Sequence, residues 1–323
     1  MIEIGEGEPL FRREELDVTL LADSEQLAAV YSRAAPGWGG TPLHVHARHA
    51  EAVLVMEGEL SLRLEDRVHL LGPETWAFVP PGVVHTFEAA GGVGSTEPPR
   101  RRLAGAGRVA QAPASPAPER EESGGAGFAA AGAGSDEQAR FLILHTPGSG
   151  YGDYVRGSGA TFDQQPPPEY ATGDPGLVIV RRAGGKDGET IGESDPEHRA
   201  TLLVDTDELT ITEFLRRPGA GGPPPHVHHE HADAFLVVGG ELTFTLGPDW
   251  FSGPVGTFFL APPDVVHTFA NDGTAPAHFF NFHMPSTGFG DYMRGRKPDF
   301  DQHVVPQDSG VDPATAVVVR LSG

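Results

Sequence analysis

The chain has 323 residues, a formal net charge of −22 and no cysteine. This length suits two domains of ordinary size. The negative charge argues against a nucleic-acid or anionic-membrane partner, because both require a positive surface. Without cysteine there is no disulfide, no thiolate metal site and no cysteine nucleophile.

The N-terminal sequence MIEIGEGEPLF contains neither the basic region nor the apolar region of a signal peptide. No apolar stretch approaches the roughly 20 residues of a membrane helix. We therefore expect a cytoplasmic protein.

The first chemically informative segment along the chain is HVHARHAE. Side chains alternate between the two faces of a strand, so His44 and His46 project to the same side. Glu51 then opens the short strand EAVLVM, and the predicted strands ELSLRL and TWAFV follow between turns of glycine and proline. His85 comes from a later strand, after the bend PPGVVH. Residues of neighbouring antiparallel strands can converge inside a β-barrel, so these four side chains predict a metal site.

Residues from about 91 to 139 are rich in Ala, Gly, Pro and Ser and show no apolar periodicity. Such a segment cannot bury enough surface to offset the entropy lost on ordering. We predict a flexible surface loop, with a lid over the first site as the alternative.

Beyond this insert, helix is predicted only in two short sequences, GDYVR at 152–156 and GDYMR at 290–294. Val-rich strands follow them at 177–181 and 316–320. Such a strand can add to a sheet edge, either of the other half or of another subunit. A homodimer and a monomer are both compatible with these strands.

The second half of the chain repeats the first. HVHHEHAD begins at His226, 182 residues after His44, whereas HMPSTGFGDYMRG begins only 138 residues after its counterpart HTPGSGYGDYVRG. The difference, 182 − 138 = 44 residues, is the net length of the insert. We therefore predict two domains, 1–183 and 184–323, with one metal site each. The predicted ligands are His44, His46, Glu51 and His85 in the first domain and His226, His228, Asp233 and His267 in the second.

Three neutral imidazoles and one carboxylate leave a divalent ion with a net charge of about +1. One or two coordination positions remain for water, substrate or dioxygen. Nitrogen and oxygen ligands without sulfur suit Mn, Fe, Co, Ni, Cu or Zn, and the ligand types alone do not choose among them. We expect up to two such ions per chain.

For the other histidines near these sites, we predict exposure or packing and not metal binding. His229 and His231 would face away from the two ligands before them if the strand continued, so we predict that both are exposed. His145 and His283 recur before the Gly-Asp-Tyr turn of each half, where a role in packing under the turn is favoured over catalysis.

These residues resemble the two motifs of the cupin superfamily, G-x5-H-x-H-x3-4-E-x6-G and G-x5-P-x-G-x2-H-x3-N. The matching residues are His44, His46, Glu51, Gly58, Pro80, Gly82 and His85 in the first half, and His226, His228, Gly240, Gly256, Pro262, His267 and Asn271 in the second. The departures are Asp233 for the motif Glu, Asp264 for the second-motif Gly, Glu74 for its opening Gly and Ala89 for its final Asn. The resemblance covers nearly the whole chain except the insert. It implies an all-β fold of two tandem cupin barrels, also called jelly rolls or double-stranded β-helices.

Among cupins, the duplicated architecture and ligand sets resemble the quercetin 2,3-dioxygenase-like bicupins. This resemblance implies a metal-dependent dioxygenase-type oxidoreductase acting on a small aromatic or enolic, flavonol-like substrate. It also implies that the carboxylates of Glu51 and Asp233 can double as catalytic bases. The alternatives are a non-catalytic bicupin that binds a metal or a small molecule, and a cupin isomerase or decarboxylase. The sequence favours an enzyme, although no residue identifies a flavonol.

Because side chains alternate between the two faces of a strand, residues two apart from a ligand are predicted to line a substrate pocket. Val53 and Val55 share a face with Glu51, and Phe235 shares one with Asp233. The full predicted set is Val53, Val55, Phe78, Phe87, Phe235, Phe244, Phe258, Phe269 and Phe282. Its aromatic character favours an apolar socket for a flat substrate, and ordinary barrel core is the alternative.

Overall fold

The computed structural model describes residues 5–64, 67–89, 137–148, 150–158, 162–166, 178–184, 187–195, 197–305 and 315–321. Regular structure in these ranges is almost entirely strand, which confirms the predicted all-β class. Most of the predicted insert lies outside the described residues. Its last residue, Ala139, already belongs to a strand.

In the described part of the first half there are two antiparallel sheets and one short helix. Its strands are β1 (Glu8–Arg12), β2 (Leu16–Asp23), β3 (Ala28–Ala34), β4 (Ala50–Glu57), β5 (Leu60–Leu64), β6 (Val68–Leu71), β7 (Thr75–Val79), β8 (His85–Ala89), β9 (Ala139–Thr146) and β10 (Ile179–Arg182), and helix α1 spans Tyr151–Val155. The large sheet has the order β1-β2-β3-β9-β4-β7-β10, and the small sheet has the order β6-β5-β8.

The second half repeats this plan with a larger second sheet. Its strands are β11 (Glu189–Asp195), β12 (His198–Asp205), β13 (Thr210–Arg216), β14 (His226–Val227), β15 (Ala232–Gly239), β16 (Glu241–Leu246), β17 (Asp249–Pro254), β18 (Thr257–Ala261), β19 (His267–Ala270), β20 (Ala277–Met284), β21 (His303–Val304) and β22 (Val317–Arg320), and helix α2 spans Phe289–Met293. The large sheet runs β11-β12-β13-β20-β15-β18-β22, and the other runs β17-β16-β19-β14-β21. The two halves are therefore tandem cupin barrels, as predicted.

The central strands of each large sheet are buried on both faces. In β4, Val53 and Val55 belong to the apolar cluster inside the first barrel, whereas Ala52 and Leu54 belong to a cluster that also contains residues of the second half. The alternation of a strand produces this division, because successive side chains point to opposite faces. The large sheet thus supplies a barrel interior on one face and an interface between the halves on the other.

Aromatic side chains of the two halves meet at the interface between them. Trp76 lies edge-on to Phe280 and Phe282, with ring centroids 5.4 and 5.5 Å apart. Near the N-terminus, the amide of Gly5 donates to the carbonyl of Val318, and the amide of Arg320 donates to the carbonyl of Gly5. The first half thereby extends the edge of β22.

The predicted partners of the Val-rich strands were wrong. Strand β10 pairs with β7, and β22 pairs with β18, so each strand adds to the large sheet of its own half. The physical reason is that β7 and β18 would otherwise be sheet edges with unpaired backbone groups. The predicted domain boundary at residues 183–184 lies between β10 and β11.

The two helices begin one residue before the predicted positions and have five residues each. In the described part of the chain, no helix combines the length and the apolar character needed to cross a membrane.

Candidate metal centres

The first candidate centre lies inside the first barrel and contains the four predicted ligands. Each offers a ligand atom, and these atoms all lie within 4.8 Å of one another. Glu51 Oε2 lies 2.8 Å from His85 Nε2, 3.3 Å from His46 Nε2 and 3.9 Å from His44 Nε2. All four side chains are buried. The structure therefore brings together the residues that the spacing of the motif predicted.

The second candidate centre repeats this arrangement with a shorter carboxylate. His226, His228, Asp233 and His267 also place their ligand atoms within 4.8 Å of one another, and all are buried. Asp233 Oδ2 lies 3.2 Å from His267 Nε2 and 3.5 Å from His228 Nε2. The loss of one methylene group relative to Glu51 does not remove the carboxylate from the set.

All six ligand imidazoles are oriented by a backbone carbonyl. The Nδ1 atoms of His44, His46 and His85 lie 2.8, 2.7 and 2.9 Å from the carbonyl oxygens of Pro42, Asp163 and Val83. The Nδ1 atoms of His226, His228 and His267 lie 2.9, 2.8 and 2.9 Å from those of Pro224, Asp301 and Val265. A carbonyl oxygen only accepts, so each Nδ1 donates a proton to it, and each Nε2 is the ring nitrogen left to face the carboxylate or a metal ion. Such bonds orient metal-binding histidines in proteins.

Both carboxylates are ionised. Burial raises the pKa of Glu51, but hydrogen bonds from the three ligand imidazoles lower it, and the net pKa lies well below its ordinary value. Burial likewise raises the pKa of Asp233, while the nearby His283 and the hydrogen bonds from ligand imidazoles hold it well below its ordinary value. Each centre therefore offers one negative charge to a cation.

Three of the ligand imidazoles have a shifted pKa, and the shifts differ in direction. Burial lowers the pKa of His46 and His228, but the hydrogen bond and charge of the adjacent carboxylate outweigh it and raise the net value. Burial and the neighbouring histidines lower the pKa of His226 to about 3. A neutral His226 is ready to act as a ligand.

The donor set suits a divalent transition metal. His228 Nε2 is buried, and its nearest acceptor, Asp233 Oδ2, lies 3.5 Å away, at the outer limit of a hydrogen bond. A buried nitrogen without a partner is costly unless a cation or a donor satisfies it. Three imidazoles and one carboxylate match the ligand types of several such ions. We conclude that each cluster can hold one ion, whose identity the donor set does not determine.

A buried histidine beside each centre was missed by the sequence analysis. His49 Nδ1 lies 3.1 Å from Asp163 Oδ2, and His231 Nδ1 lies 3.1 Å from Asp301 Oδ2. The prediction that His231 is exposed was therefore wrong, whereas the exposure of His229 is confirmed. Strand β14 has only two residues, so the chain turns before His231 and brings it back inside.

His145 and His283 pack under the helices, as predicted. The ring of His145 stacks on Tyr151 at 4.2 Å between centroids, and that of His283 stacks on Phe289 at 3.8 Å. In addition, His283 Nε2 lies 3.3 Å from Asp233 Oδ1. His283 therefore also touches a ligand of the second centre, and its recurrence at the position of His145 was the only sequence signal for it.

Six of the predicted pocket residues line the barrel interiors. Val53, Val55 and Phe87 belong to the first interior cluster, and Phe235, Phe244 and Phe269 belong to the second. The rings of Phe87 and Phe235 lie 5.8 and 6.3 Å from those of the ligands His85 and His267. These residues surround the centres with apolar surface.

The other three predicted pocket residues lie at the interface between the halves. Phe78, Phe258 and Phe282 pair with Ala52, Leu236 and Ala234, which point away from the carboxylate ligands. All six belong to the cluster that joins the halves. Their assignment to the pocket is thus corrected, because both faces of the large sheets are apolar.

Two segments of the chain, residues 30–94 and 213–283, match the family model described as the cupin domain. One segment lies in each half, and together they include all eight candidate ligands. A comparison with curated proteins finds no match to this sequence.

Several solved structures share the fold. AerE from Microcystis aeruginosa has 12% sequence identity and a TM-score of 0.52, over 87% of this chain and 97% of that chain. A mutant of oxalate decarboxylase from Bacillus subtilis has 16% identity and a TM-score of 0.51, over 84% of this chain and 74% of that one. The protein YlbA from E. coli has 12% identity and a TM-score of 0.50, over 84% of both chains. At such identities the likeness concerns the fold alone.

Proposed function

We propose that this chain, each half of which contains a segment that matches the cupin-domain model, is a metal-dependent oxidoreductase of the dioxygenase type. Each half would hold one divalent transition metal. The substrate would be a small aromatic or enolic molecule that enters a barrel interior. The observation that carries the proposal is the orientation of six buried imidazoles, each with Nδ1 bonded to a carbonyl and Nε2 directed at a carboxylate-containing cluster.

The surroundings of the centres support a substrate with an apolar body. Apolar side chains, valine and phenylalanine among them, line the barrel interiors that contain the ligands. Among the described ion pairs of the eight ligands, none is made with a lysine or arginine, so a substrate with two negative charges would find no cationic side chain paired with the ligands. A singly charged enolate attached to an aromatic ring suits this interior better than a small dicarboxylate does. This argument favours the oxidoreductase over a decarboxylase.

The residues of the chain have separate tasks in this proposal. A bound transition metal would supply Lewis acidity, and the three imidazoles and the carboxylate of each half would hold it. The carbonyl bonds hold the imidazoles in one tautomer, and the apolar walls exclude water. Glu51, which is ionised and hydrogen-bonded only to imidazole nitrogens in the described contacts, can accept the proton of an enolic hydroxyl group.

The proposal is tested by metal loading followed by oxygen uptake. Metal-free protein is titrated without air with Mn²⁺, Fe²⁺, Co²⁺, Ni²⁺, Cu²⁺ and Zn²⁺, and each form is then tested with flavonols, catechols, diketones and small acids. We expect two metal equivalents per chain and oxygen uptake with at least one aromatic or enolic compound. Full metal occupancy without uptake on any of them would favour a binding protein.

Substitution of one ligand in each half assigns the metals. His85→Ala should remove one equivalent from the first centre, and His267→Ala should remove one from the second. His229→Ala is the matched control, because this exposed histidine follows a ligand but lies outside the cluster, and it should retain both equivalents. Two retained equivalents in both ligand variants would show that the assignment is wrong.

A further inference from the structure

The carboxylate of the second centre is held by side chains on its outer oxygen. Asn281 Nδ2 donates to Asp233 Oδ1 over 2.7 Å, and His283 Nε2 lies 3.3 Å from the same oxygen. The other oxygen, Oδ2, faces the ligands His228 and His267. The two oxygens of Asp233 are thus divided between different neighbours.

The orientation of the asparagine is itself fixed. Asn281 is buried, and its Nδ2 also lies 3.2 Å from the carbonyl oxygen of Ala234. Both acceptors lie near the same atom, which identifies that atom as the amide nitrogen. Since both of its N–H groups are engaged, the amide cannot rotate without losing buried hydrogen bonds.

The first centre has no counterpart of this asparagine. Asn281 pairs across the strands with Phe235, two residues after Asp233. In the first half, Ile143 pairs in the same way with Val53, two residues after Glu51. An isoleucine side chain has no hydrogen-bonding group. The shorter carboxylate and the asparagine therefore occur together in one half, and the longer carboxylate and the isoleucine occur together in the other.

We propose that Asn281 and His283 are positioning residues that fix Asp233 as a one-oxygen ligand of the second metal. The proposal rests on the metal binding proposed above. Aspartate reaches less far into the cluster than glutamate. Its oxygen Oδ2 must therefore be turned towards the imidazoles for all four residues to bind one ion. The amide and the imidazole achieve this by holding the opposite oxygen, and substitution of such neighbours typically weakens metal binding 10–100-fold.

The test observes the second centre alone. In a His85→Ala background, which disables the first centre, metal-free protein is titrated with Co²⁺ and the visible absorption of the bound ion is recorded. Asn281→Ile introduces the residue found at the same place in the first half. We expect it to weaken Co²⁺ binding about 10–100-fold and to change the absorption spectrum, since the coordination of the carboxylate changes.

A matched control and a rescue variant complete the design. Thr212 pairs with Asn281 from β13, is fully buried, and has a hydroxyl group without a partner, so Thr212→Val should leave Co²⁺ binding unchanged. Asp233→Glu combined with Asn281→Ile recreates the pair of the first half and should recover most of the affinity. If Asn281→Ile does not fold, Asn281→Ser removes the same hydrogen bond without added volume and should weaken binding equally.

Two outcomes would overturn the proposal: unchanged affinity and spectrum in the Asn281 variants, or an equal loss in Thr212→Val. A His85→Ala parent that binds no Co²⁺ would instead refute metal binding by the second centre. Normal Co²⁺ binding without oxygen uptake would refute only the enzymatic part of the proposed function, and the positioning role would stand.

Discussion

At the scale of the residue, the chain maintains many buried histidines in the neutral form. His145 and His283 are fully enclosed beside the two carboxylates, and burial is the main cause that lowers the pKa of each to about 3. The same burial makes the metal-free protein sensitive to acid.

The sign of this sensitivity follows from proton binding. Between pH 6.5 and pH 3 the unfolded chain binds a proton at His145 that the folded chain does not bind, so the free energy of unfolding falls as the pH decreases. One such group contributes about 2 kcal/mol between pH 7 and pH 5. We predict that His145→Phe reduces the loss of stability of metal-free protein over this interval by about 2 kcal/mol, as measured by urea unfolding.

Tyr151→Phe provides the control for the acid prediction. It retains the ring that stacks on His145, and phenylalanine is the residue that stacks on the equivalent His283. Its pH dependence should follow that of the unsubstituted protein. A His145→Phe variant with the same pH dependence as the unsubstituted protein would contradict the assignment of His145 as a neutral buried group.

The candidate ligands could be predicted from sequence because their information is local and duplicated. His44 and His46 are two residues apart, and the same spacing recurs with the same offset to a third histidine. His231 could not be placed in this way, because its direction depends on where β14 ends. Asn281 carries no sequence signal, since only the register between β15 and β20 brings it to Asp233.

At the scale of the element, the turns before β8 and β19 keep their geometry despite different residues. Gly82 has a φ of 85° and Asp264, its counterpart, has a φ of 68°. Their amides donate over 2.7 Å to the carbonyl oxygens of His46 and His228, respectively. The departure from the cupin motif at Asp264 therefore changes the residue without changing the turn.

In the turns before β7 and β18, the glycine lies in the second half and the larger residue lies in the first. Glu74 has a φ of 63°, and its counterpart Gly256 has a φ of 85°. Their amides donate over 2.8 Å to the carbonyl oxygens of Val55 and Val237. Because a side chain is strained in the left-handed region, each half carries one strained residue where the other half has glycine.

This comparison predicts whether each of three substitutions raises or lowers the free energy of unfolding. Glu74→Gly and Asp264→Gly should both remove left-handed strain; Glu74→Gly should stabilise the protein by about 1 kcal/mol, and Asp264→Gly should stabilise it less, since aspartate tolerates this region better and Asp264 Oδ1 lies 2.6 Å from His229 Nδ1. Gly82→Ala should destabilise it by about 1 kcal/mol, because a Cβ there would meet no atom within 4 Å and only the strain remains. Urea unfolding measures all three, and stabilisation by Gly82→Ala would show that these turns are not strained.

The strands were predictable from sequence, but the side of the sheet that each residue faces was only partly predictable. Val53 lies two residues after Glu51 in β4, so the alternation of the strand placed it on the interior face. Phe78 lies in another strand, and only its register with Ala52 shows that it points away from the centre. An apolar sequence cannot distinguish the two faces when both are buried, which is the case for the large sheets of this molecule.

At the scale of the whole molecule, the two barrels share one apolar core. The cluster that joins them includes Leu54 and Trp76 of the first half together with Leu236, Phe280 and Phe282 of the second. Its members lie on the faces of the large sheets opposite the metal centres. A domain stabilised by such a core does not unfold independently of its neighbour unless the interface is weakened.

Trp76 offers the most direct test of this coupling. Its side chain is fully buried, and its indole nitrogen has no hydrogen-bond partner, so its contribution comes from contact with Phe280 and Phe282. We predict that Trp76→Ala lowers the free energy of unfolding by about 3–5 kcal/mol and separates a single calorimetric transition into two. Trp76→Phe should retain one transition, because it preserves an aromatic ring and removes only an unsatisfied donor. If Trp76→Ala still unfolds in one transition with a loss below about 1 kcal/mol, the aromatic contacts do not couple the two metal-binding halves.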